Sequence, residues 1–336
     1  MKTRLLISAA LAAAAINCSA LNPIVQTLYT ADPAPVVHDG VCYVYTSHDE
    51  DVIVKNFFTM KDWRCYSSTD MVNWTDHGAV ATLYDFKWAG SGWGGGFTNG
   101  AWAVQGIQRD GKWFLYCPLQ GRGIGVLVST NGPFGPFTDP IGKPLIGGDN
   151  IDPTVFIDDD GQAYLSWGNP KCWYAKLNKD MISLDTSIGN KGLVAYDMTV
   201  EAFGKRSKED PKRLTTYEEG PWLYKRNALC YLFFAGGPIA EHLGYSTGPS
   251  PTGPWKYAGV VMDPQSAFTI HPGIVDYKGK TYLFYHDAGL PGGGGFRRSV
   301  CVDELTFNPD GTVNKVMSTK AGPAPAGTLN PISASR

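Results

Sequence analysis

The stretch DPTVFIDDDGQAYLSW, residues 152–167, holds two apolar runs separated by an acidic turn. Asp-Pro introduces the first run, Asp160-Gly161 ends the turn, and the second run is rich in aromatic and aliphatic residues. Two apolar runs that are joined by Asp-Gly predict a β-hairpin, because both residues tolerate the left-handed backbone of a tight turn. The stretch therefore predicts two neighbouring antiparallel strands.

The same unit recurs along the chain. Further copies, each with a turn residue between two apolar runs, lie at residues 32–46, 101–116, 219–234 and 271–285. A Ser-containing turn follows three of the units and ends in an aromatic residue, at Trp74, Phe137 and Trp255. Repeated units of about four strands are typical of propeller blades. We therefore predict an all-β fold, a five-bladed β-propeller in a single domain over residues 21–320.

The composition agrees with a large, turn-rich β-domain. The 336 residues include 40 Gly and 23 Pro, which disfavour long helices. A hydrophobic share of 43% is too high for a disordered chain. The net charge of −2 lacks the basic footprint of nucleic-acid-binding proteins, so we expect no nucleic-acid partner.

The two ends of the chain differ from the repeats. Met1–Arg4 is cationic, Leu5–Ile16 is apolar but too short to cross a bilayer, and small residues follow. Residues 1–20 therefore predict a signal peptide and a secreted or periplasmic protein without a membrane span; lipidation at Cys18 is the alternative. Residues 321–336 are rich in Ala, Pro, Gly and Ser and predict a flexible tail.

Six cysteines remain after residue 20, each within an apolar, strand-like run. Such spacing fits neither a metal site nor a small disulfide scaffold, so we expect mostly buried thiols. Because export permits disulfides, Cys42 and Cys65 are the pair to examine for a bond, on adjacent strands of one sheet.

The residue that opens each unit should face the central channel of a propeller. These positions carry Asp32, Ala103, Asp152, Glu219 and His271. Carboxylates around one narrow channel repel each other and lose hydration, which marks them as candidate functional groups. The alternative is that they are turn residues that precede proline.

The sequence resembles glycoside hydrolase family 43 over essentially the whole mature chain. The resemblance rests on four motifs, ADPAP at 31–35, DPTVF at 152–156, EEGPW at 218–222 and GFRRSV at 295–300. It implies a five-bladed propeller that hydrolyses arabinose- and xylose-containing plant polysaccharides with inversion of configuration.

The resemblance also implies three catalytic roles. By position, Asp32 is the general base, Glu219 is the general acid, and Asp152 raises the pKa of the acid and orients it. These residue types suit the chemistry, since an inverting glycosidase needs two carboxyl groups about 6.5–9.5 Å apart, which different blades can provide. Glu218 should point to the opposite face of its strand because side chains alternate.

Other roles follow from the same resemblance. It implies that His271 helps to hold a Ca²⁺ ion in the channel and that Arg298 reaches the substrate pocket, whereas Arg297 is exposed. A hydrogen-bonded channel histidine without metal is the alternative for His271. The His48-Asp49 pair closes a strand and belongs either to the pocket wall or to a surface turn. No organic cofactor is expected.

Trp93 and Trp102 are candidates for stacking on a sugar ring, with burial between blades as the alternative.

The similarity favours release of terminal α-L-arabinofuranosyl or β-D-xylosyl residues by a monomer that acts on plant cell-wall polysaccharides or oligosaccharides. Two alternatives stay open, an endo-arabinanase of the same fold and a non-catalytic propeller that binds glycans.

Overall fold

Nineteen strands form five antiparallel sheets in a computed structural model that describes residues 21–90 and 98–327. Within each sheet the strands follow one another in chain order, and the sheets succeed one another along the chain. This arrangement is the predicted five-bladed β-propeller, which is thereby confirmed. The predicted signal peptide, Trp93 and residues 328–336 of the predicted tail lie outside the described residues.

The first two blades contain four strands each, β1 Tyr29–His38, β2 Val41–Asp49, β3 Asp62–Ser68, β4 Thr75–Thr82, β5 Gln105–Arg109, β6 Lys112–Leu119, β7 Gly123–Ser129 and β8 Ile146–Gly147. The next two blades are also four-stranded, with β9 Thr154–Ile157, β10 Ala163–Trp167, β11 Trp173–Leu177, β12 Val194–Ala195, β13 Tyr217–Arg226, β14 Leu229–Gly236, β15 His242–Gly248 and β16 Lys256–Met262. The fifth blade has β17 Gly273–Tyr277, β18 Lys280–Asp287 and β19 Ser299–Leu305.

Helices are short in the described part of the chain. They comprise two 3₁₀ turns, Leu83–Asp85 and Lys87–Gly90, and the α-helix α1 Val200–Phe203. None of the helices in residues 21–90 and 98–327 combines the length and apolar character that a membrane span requires.

The predicted Asp-Gly turns join the first two strands of blades. His38 pairs with Val41 across Asp39-Gly40, whose φ angles of 48° and 74° are both left-handed. Two consecutive left-handed residues are the requirement of the hairpin turn that matches the twist of β-strands. The local sequence therefore sets the register within this hairpin.

Aromatic side chains bind neighbouring blades to each other. Trp74 at the end of the Ser-containing turn of blade 1 packs edge-on against Phe284 of blade 5, with ring centroids 5.9 Å apart. Trp113 of blade 2 contacts Tyr43 of blade 1 at 5.3 Å in a similar way. Large rings bury much apolar area at each interface, so the blades stabilise one another through the hydrophobic effect.

The N-terminal segment closes the ring by running along the outer strand of the last blade. The Ile24 N–H donates to the Val300 carbonyl at 2.8 Å. The Asn22 side chain donates to the Val302 carbonyl at 2.9 Å and accepts from the Val302 N–H at 2.9 Å. The fifth sheet thereby gains a partner for β19 from the start of the described chain.

The cysteine pair singled out above does not form a disulfide. Cys42 lies opposite Ser68 and Cys65 lies opposite Tyr45, so the two thiols are not cross-strand neighbours. All six cysteines of the described residues are free and buried, as expected for small apolar side chains.

Near the C-terminal end, Ala326 is buried and its N–H donates to the Asp70 carbonyl at 2.8 Å.

We predict that Asn22→Ala weakens the closure of the ring. The variant loses a two-sided amide clamp on Val302, which should lower the free energy of unfolding by about 1–3 kcal/mol. Asn314→Ala is the matched control, because its exposed amide bonds only to Thr306. Urea unfolding of both variants measures the difference; equal stability of the two would contradict a closing role for Asn22.

Candidate active site

A cavity of about 320 Å³ brings the predicted site residues together. It is lined by six of them, Asp32, Asp152, Glu219, His271, Arg298 and Trp102. Ala103, which opens the second repeat, lies in the same wall. All five blades therefore contribute to one pocket through the residues that open their repeats.

Backbone kinks direct the carboxyl groups of the first and third blades into the cavity. Asp32 and Asp152 have left-handed φ angles of 53° and 57°, and each directly precedes a proline. The ladder between β1 and β2 is interrupted at this point, between Ala31 and Ala34. Aspartate tolerates this backbone conformation better than most residues, which explains why the kink and the carboxylate coincide.

Glu219 occupies a different position in its repeat from the two aspartates. In β13 the ladder is interrupted between Glu219 and Trp222, and the left-handed residue before proline is Gly220, with φ 59°. By this register Glu219 corresponds to Ala31 and not to Asp32. The prediction that all three acids open their units equivalently is therefore wrong by one residue for Glu219.

Gly220 is required at its position by two constraints. Its φ is left-handed, and a Cβ atom there would lie only 3.0 Å from Nδ1 of His271. Its N–H also donates to Oδ2 of Asp152 at 3.0 Å. The glycine thus lets the fourth blade approach the carboxyl group of the third.

Asp32 is buried and firmly held in its ionised form. Ser47 donates to its Oδ2 at 2.6 Å, and Nη1 of Arg298 donates to its Oδ1 at 2.9 Å. Burial by itself would raise the pKa of Asp32, but the charge of Arg298, with help from His286, His271 and Ser47, lowers that pKa to about 2. This carboxylate can accept a proton at any pH above that value.

Arg298 is shared between two buried aspartates. Besides Asp32, its Nε and Nη2 donate to the two oxygens of Asp49, each at 2.9 Å. Asp49 is fully buried and is not among the residues that line the pocket, so it lies neither in the pocket wall nor in a surface turn, the two positions that the sequence left open. The neighbouring His48 faces the other way and contacts Asp62 at 3.2 Å.

The buried Asp152 and the half-buried Glu219 form an acidic pair. Burial, and then repulsion from Glu219, raises the pKa of Asp152 well above its ordinary value. Burial also raises the pKa of Glu219, although a hydrogen bond from Asn169 at 2.6 Å opposes the rise. The pair therefore retains a proton at a pH at which isolated carboxyl groups have lost theirs.

Glu218 lies in the same pocket wall, so the prediction that it points to the opposite face was wrong. The physical reason is the irregular pairing of β13 between Tyr217 and Glu219, which breaks the alternation of side chains. Its carboxylate pairs with the guanidinium groups of Arg206 and Arg213. Two cations therefore offset the negative charge of Glu218.

Several pocket residues carry no signal in the sequence. Glu241 is buried, its Oε2 accepts from the Ile270 N–H at 3.0 Å, and burial together with Glu219 raises its pKa well above the ordinary value. Asn169 and Arg213 come from connecting segments outside the repeated unit. An aromatic wall of Phe57, Phe58 and Phe268 faces the same space, with the Arg298 guanidinium 4.6 Å from the Phe58 ring.

His271 lines the cavity as expected, but in residues 21–90 and 98–327 it belongs to no group of three or more side chains with converging metal-ligand atoms. Burial lowers the pKa of His271 to about 4, so its imidazole is neutral near pH 7. Among the described residues, the one group of three His, Asp or Glu side chains with converging ligand atoms is His48, Glu50 and Asp62.

The family model for glycosyl hydrolases family 43 matches residues 20–313. The chain belongs to this family. It is 35% identical to a xylosidase/arabinosidase of Bacteroides ovatus over 318 residues, which cover 85% of this chain and 94% of that protein. Xylosidase/arabinosidase 43A of Humicola insolens is 30% identical over 338 residues, 87% of this chain and 98% of the relative.

Solved structures of the family share the fold. The metagenomic β-xylosidase/α-arabinofuranosidase CoXyl43, in complex with xylotriose in a calcium-free form, superposes with a TM-score of 0.76 at 31% identity, over 89% of this chain and 97% of its own. An α-L-arabinofuranosidase of Clostridium thermocellum gives a TM-score of 0.66 at 31% identity, with the same two coverages of 89% and 97%. This chain is therefore a glycoside hydrolase, and the predicted resemblance to family 43 is confirmed.

We predict that Arg298→Gln destabilises the fold far more than Arg297→Gln. Removing the charge leaves Asp32 and Asp49 buried without their cation, which should cost about 3–5 kcal/mol. The Arg297 side chain is half-buried rather than exposed as predicted, and it makes a cation–π contact with Tyr29 at 5.6 Å, so its loss should cost less than about 1 kcal/mol.

The pH dependence of this difference has a defined sign. The pKa of Asp32 is lowered from 3.8 to about 2, so its ion pair stabilises the wild type above pH 3.8 and the contribution is lost as the pH falls through 2. Urea unfolding across this range should show the gap between wild type and Arg298→Gln narrowing toward low pH. A difference in the free energy of unfolding that widens as the pH falls would contradict the low pKa of Asp32.

Proposed function

We propose that this family 43 enzyme releases terminal α-L-arabinofuranosyl or β-D-xylosyl residues from arabinoxylan, xylo-oligosaccharides or arabinan, with inversion at the anomeric carbon. The observation that carries the proposal is a single cavity that contains one ionised carboxylate, Asp32, and one acidic pair that retains a proton, Asp152 and Glu219. Inverting hydrolysis needs both forms at once. The names of the relatives support the pentose class.

Asp32 is assigned as the general base. Its two oxygens are held by Ser47 and Arg298, so the carboxylate is oriented before substrate binds. In the reaction, water attacks the anomeric carbon while its proton passes to Asp32. The charge that Arg298 places beside Asp32 keeps this group ionised at the start of each turnover.

Glu219 is assigned as the general acid and Asp152 as its partner. As the bond between the anomeric carbon and the leaving oxygen breaks, the proton of Glu219 passes to that oxygen. Asp152, fixed by the Gly220 N–H, disfavours a second negative charge beside it and so keeps the proton on the pair. We expect the carboxyl groups of Asp32 and Glu219 to stand about 6.5–9.5 Å apart, leaving space for water.

The cavity favours exo action over an endo-arabinanase. Its volume of about 320 Å³ is at the small end of ligand pockets, which suits a terminal sugar. Trp102 and the Phe wall provide apolar faces on which sugar rings can stack.

The direct test is hydrolysis of nitrophenyl α-L-arabinofuranoside and nitrophenyl β-D-xyloside, with the first-formed anomer followed by NMR. Inverted product supports the proposal, and retained configuration contradicts it. Absence of hydrolysis together with glycan binding would favour a non-catalytic propeller. Cleavage inside linear arabinan with no attack on either aryl glycoside would favour the endo alternative.

We predict that Glu219→Gln separates substrates by their leaving groups. Because the variant cannot donate a proton, hydrolysis of xylobiose should fall by about 10²–10⁴-fold, whereas a nitrophenyl glycoside should be affected much less. Asp32→Asn should impair both substrates, since the attacking water needs a base whatever departs. The exposed Glu209→Gln is the control; equal losses of Glu219→Gln on both substrates would mean that another residue is the acid.

Asp152→Asn should move the alkaline limb of the pH–activity profile to lower pH. Without the neighbouring carboxylate, Glu219 loses the repulsion that keeps its proton, so its pKa falls and the acid is lost earlier on raising the pH. The profile of kcat/KM against pH measures this shift. An alkaline limb at the wild-type position would contradict the partner role of Asp152.

A Ca²⁺ ion beside His271 is part of the proposal. The neutral, buried imidazole offers a lone pair toward the cavity, so it can be one ligand, and the remaining ligands would be water because Ca²⁺ prefers about 6–8 oxygens. When bound, the ion would offset the negative charge of the acids. EDTA should then lower the melting temperature and Ca²⁺ should restore it; an unchanged melting temperature would favour the metal-free histidine.

Secretion and a monomeric state complete the proposal. The cationic start and apolar run of residues 1–20 support export, which N-terminal sequencing of protein from the culture medium would test. Light scattering on the purified enzyme would test the monomer.

A further inference from the structure

A chain of polar contacts leads to the proposed acid from outside the repeated units. Nδ2 of Asn169 donates to Oε2 of Glu219 at 2.6 Å. Nη2 of Arg213 donates to Oδ1 of Asn169 at 2.9 Å, and Nη1 of Arg213 contacts Glu218. All four side chains line the cavity, so the contacts form beside the place where a leaving group would stand.

Arg213 determines which way the Asn169 amide faces. A guanidinium group has five N–H donors and no acceptor, so the amide atom that it contacts has to be the oxygen. The NH₂ group of Asn169 is then directed at Glu219 and can only donate. The reversed amide would place two donors against each other at Arg213 and two acceptors against each other at an ionised Glu219.

This orientation decides where the proton of Glu219 resides. Oε2 accepts from Asn169, so a protonated Glu219 carries its hydrogen more favourably on Oε1. We propose that Asn169 and Arg213 are positioning residues that direct the acidic hydrogen of Glu219 onto one oxygen and set the pH at which it is lost. The inference rests on the proposed role of Glu219 as general acid.

Glu218 and Arg206 make the arrangement rigid. Arg213 belongs to the segment between α1 and β13, and its side chain is partly exposed. The buried carboxylate of Glu218 pairs with Arg213 on one oxygen and with Arg206 on the other. A guanidinium held at both Glu218 and Asn169 loses little further freedom when the substrate arrives, which favours a fixed acid.

The hydrogen bond from Asn169 also affects the pKa of Glu219. Burial raises the pKa of Glu219, and the hydrogen bond from Asn169 opposes that rise because it favours the ionised form. Among the described residues no side-chain amide donates to Asp152, and burial together with Glu219 raises its pKa well above the ordinary value. Loss of the Asn169 donor should therefore raise the pKa of Glu219.

The test compares Asn169→Ala and Asn169→Asp with the wild type. Both remove the donor to Glu219, and Asn169→Asp keeps an oxygen for Arg213. Asn178→Asp is the matched control, because its exposed amide bonds within a turn at Ser183 and Leu184. The readouts are kcat/KM against pH on xylobiose and on a nitrophenyl xyloside, with melting temperatures for all proteins.

Asn169→Ala should move the alkaline limb up by about one pH unit, the size expected for a hydrogen bond to a charged group. Asn169→Asp should move it further, because its carboxylate adds repulsion beside Glu219. Both variants should also lose more activity on xylobiose than on the nitrophenyl xyloside. The sugar leaving group of xylobiose needs a proton from a correctly placed general acid, whereas nitrophenolate departs without one. Arg213→Gln, which leaves Asn169 in place but releases its amide, should show the same leaving-group dependence in weaker form.

Two results would overturn the inference, and they differ from failure of the proposed function. If the wild type is active and Glu219→Gln behaves as the acid, yet the Asn169 variants keep the wild-type alkaline limb, the positioning role is wrong. Equal losses on both substrates with a lowered melting temperature would show a structural role only. A wild type that hydrolyses neither substrate would instead overturn the proposed function on which the inference rests.

Discussion

The buried guanidinium group of Arg298 connects the closure of the propeller to its chemistry. Arg298 immediately precedes β19 in the last blade, whereas its two partners, Asp32 and Asp49, belong to the first two strands of the first blade. Two carboxylates in a dry environment would be costly without this cation, and the cation would be equally costly without them. The ion pairs that join the last blade to the first therefore also hold the proposed base.

The carboxyl groups of the pocket divide into two groups that prefer opposite protonation states. On the side of the first blade, Arg298 keeps Asp32 ionised. On the side of the third and fourth blades, burial and mutual repulsion favour the protonated forms of Asp152, Glu219 and Glu241. The same residue type thus has opposite protonation preferences across one cavity, because one carboxyl has a guanidinium partner and the others have mainly each other.

Backbone irregularities at the inner strands place these groups. Regular strands would send alternate side chains to opposite faces, yet Glu218 and Glu219 both line the pocket. The irregular pairing of β13 between Tyr217 and Glu219 makes this possible, and the interruption of β1 between Ala31 and Ala34 turns Asp32 inward. Interrupted ladders of this kind are common next to active sites, where they change the direction of a side chain.

The sequence by itself determined the repeat and the hairpins, because strand alternation and Asp-Gly turns are local properties of the chain. The repeat and the family resemblance together indicated the three acids that line the cavity. It placed Glu219 one residue out of register, since Gly220-Pro221 takes the place of Asp-Pro and the offset shows only in the strand pairing. Only the tertiary structure brought Asp49 to Arg298 and Asn169 to Glu219. These partners lie 249 and 50 residues apart and share no sequence pattern, so their contact depends on how the blades close around the channel.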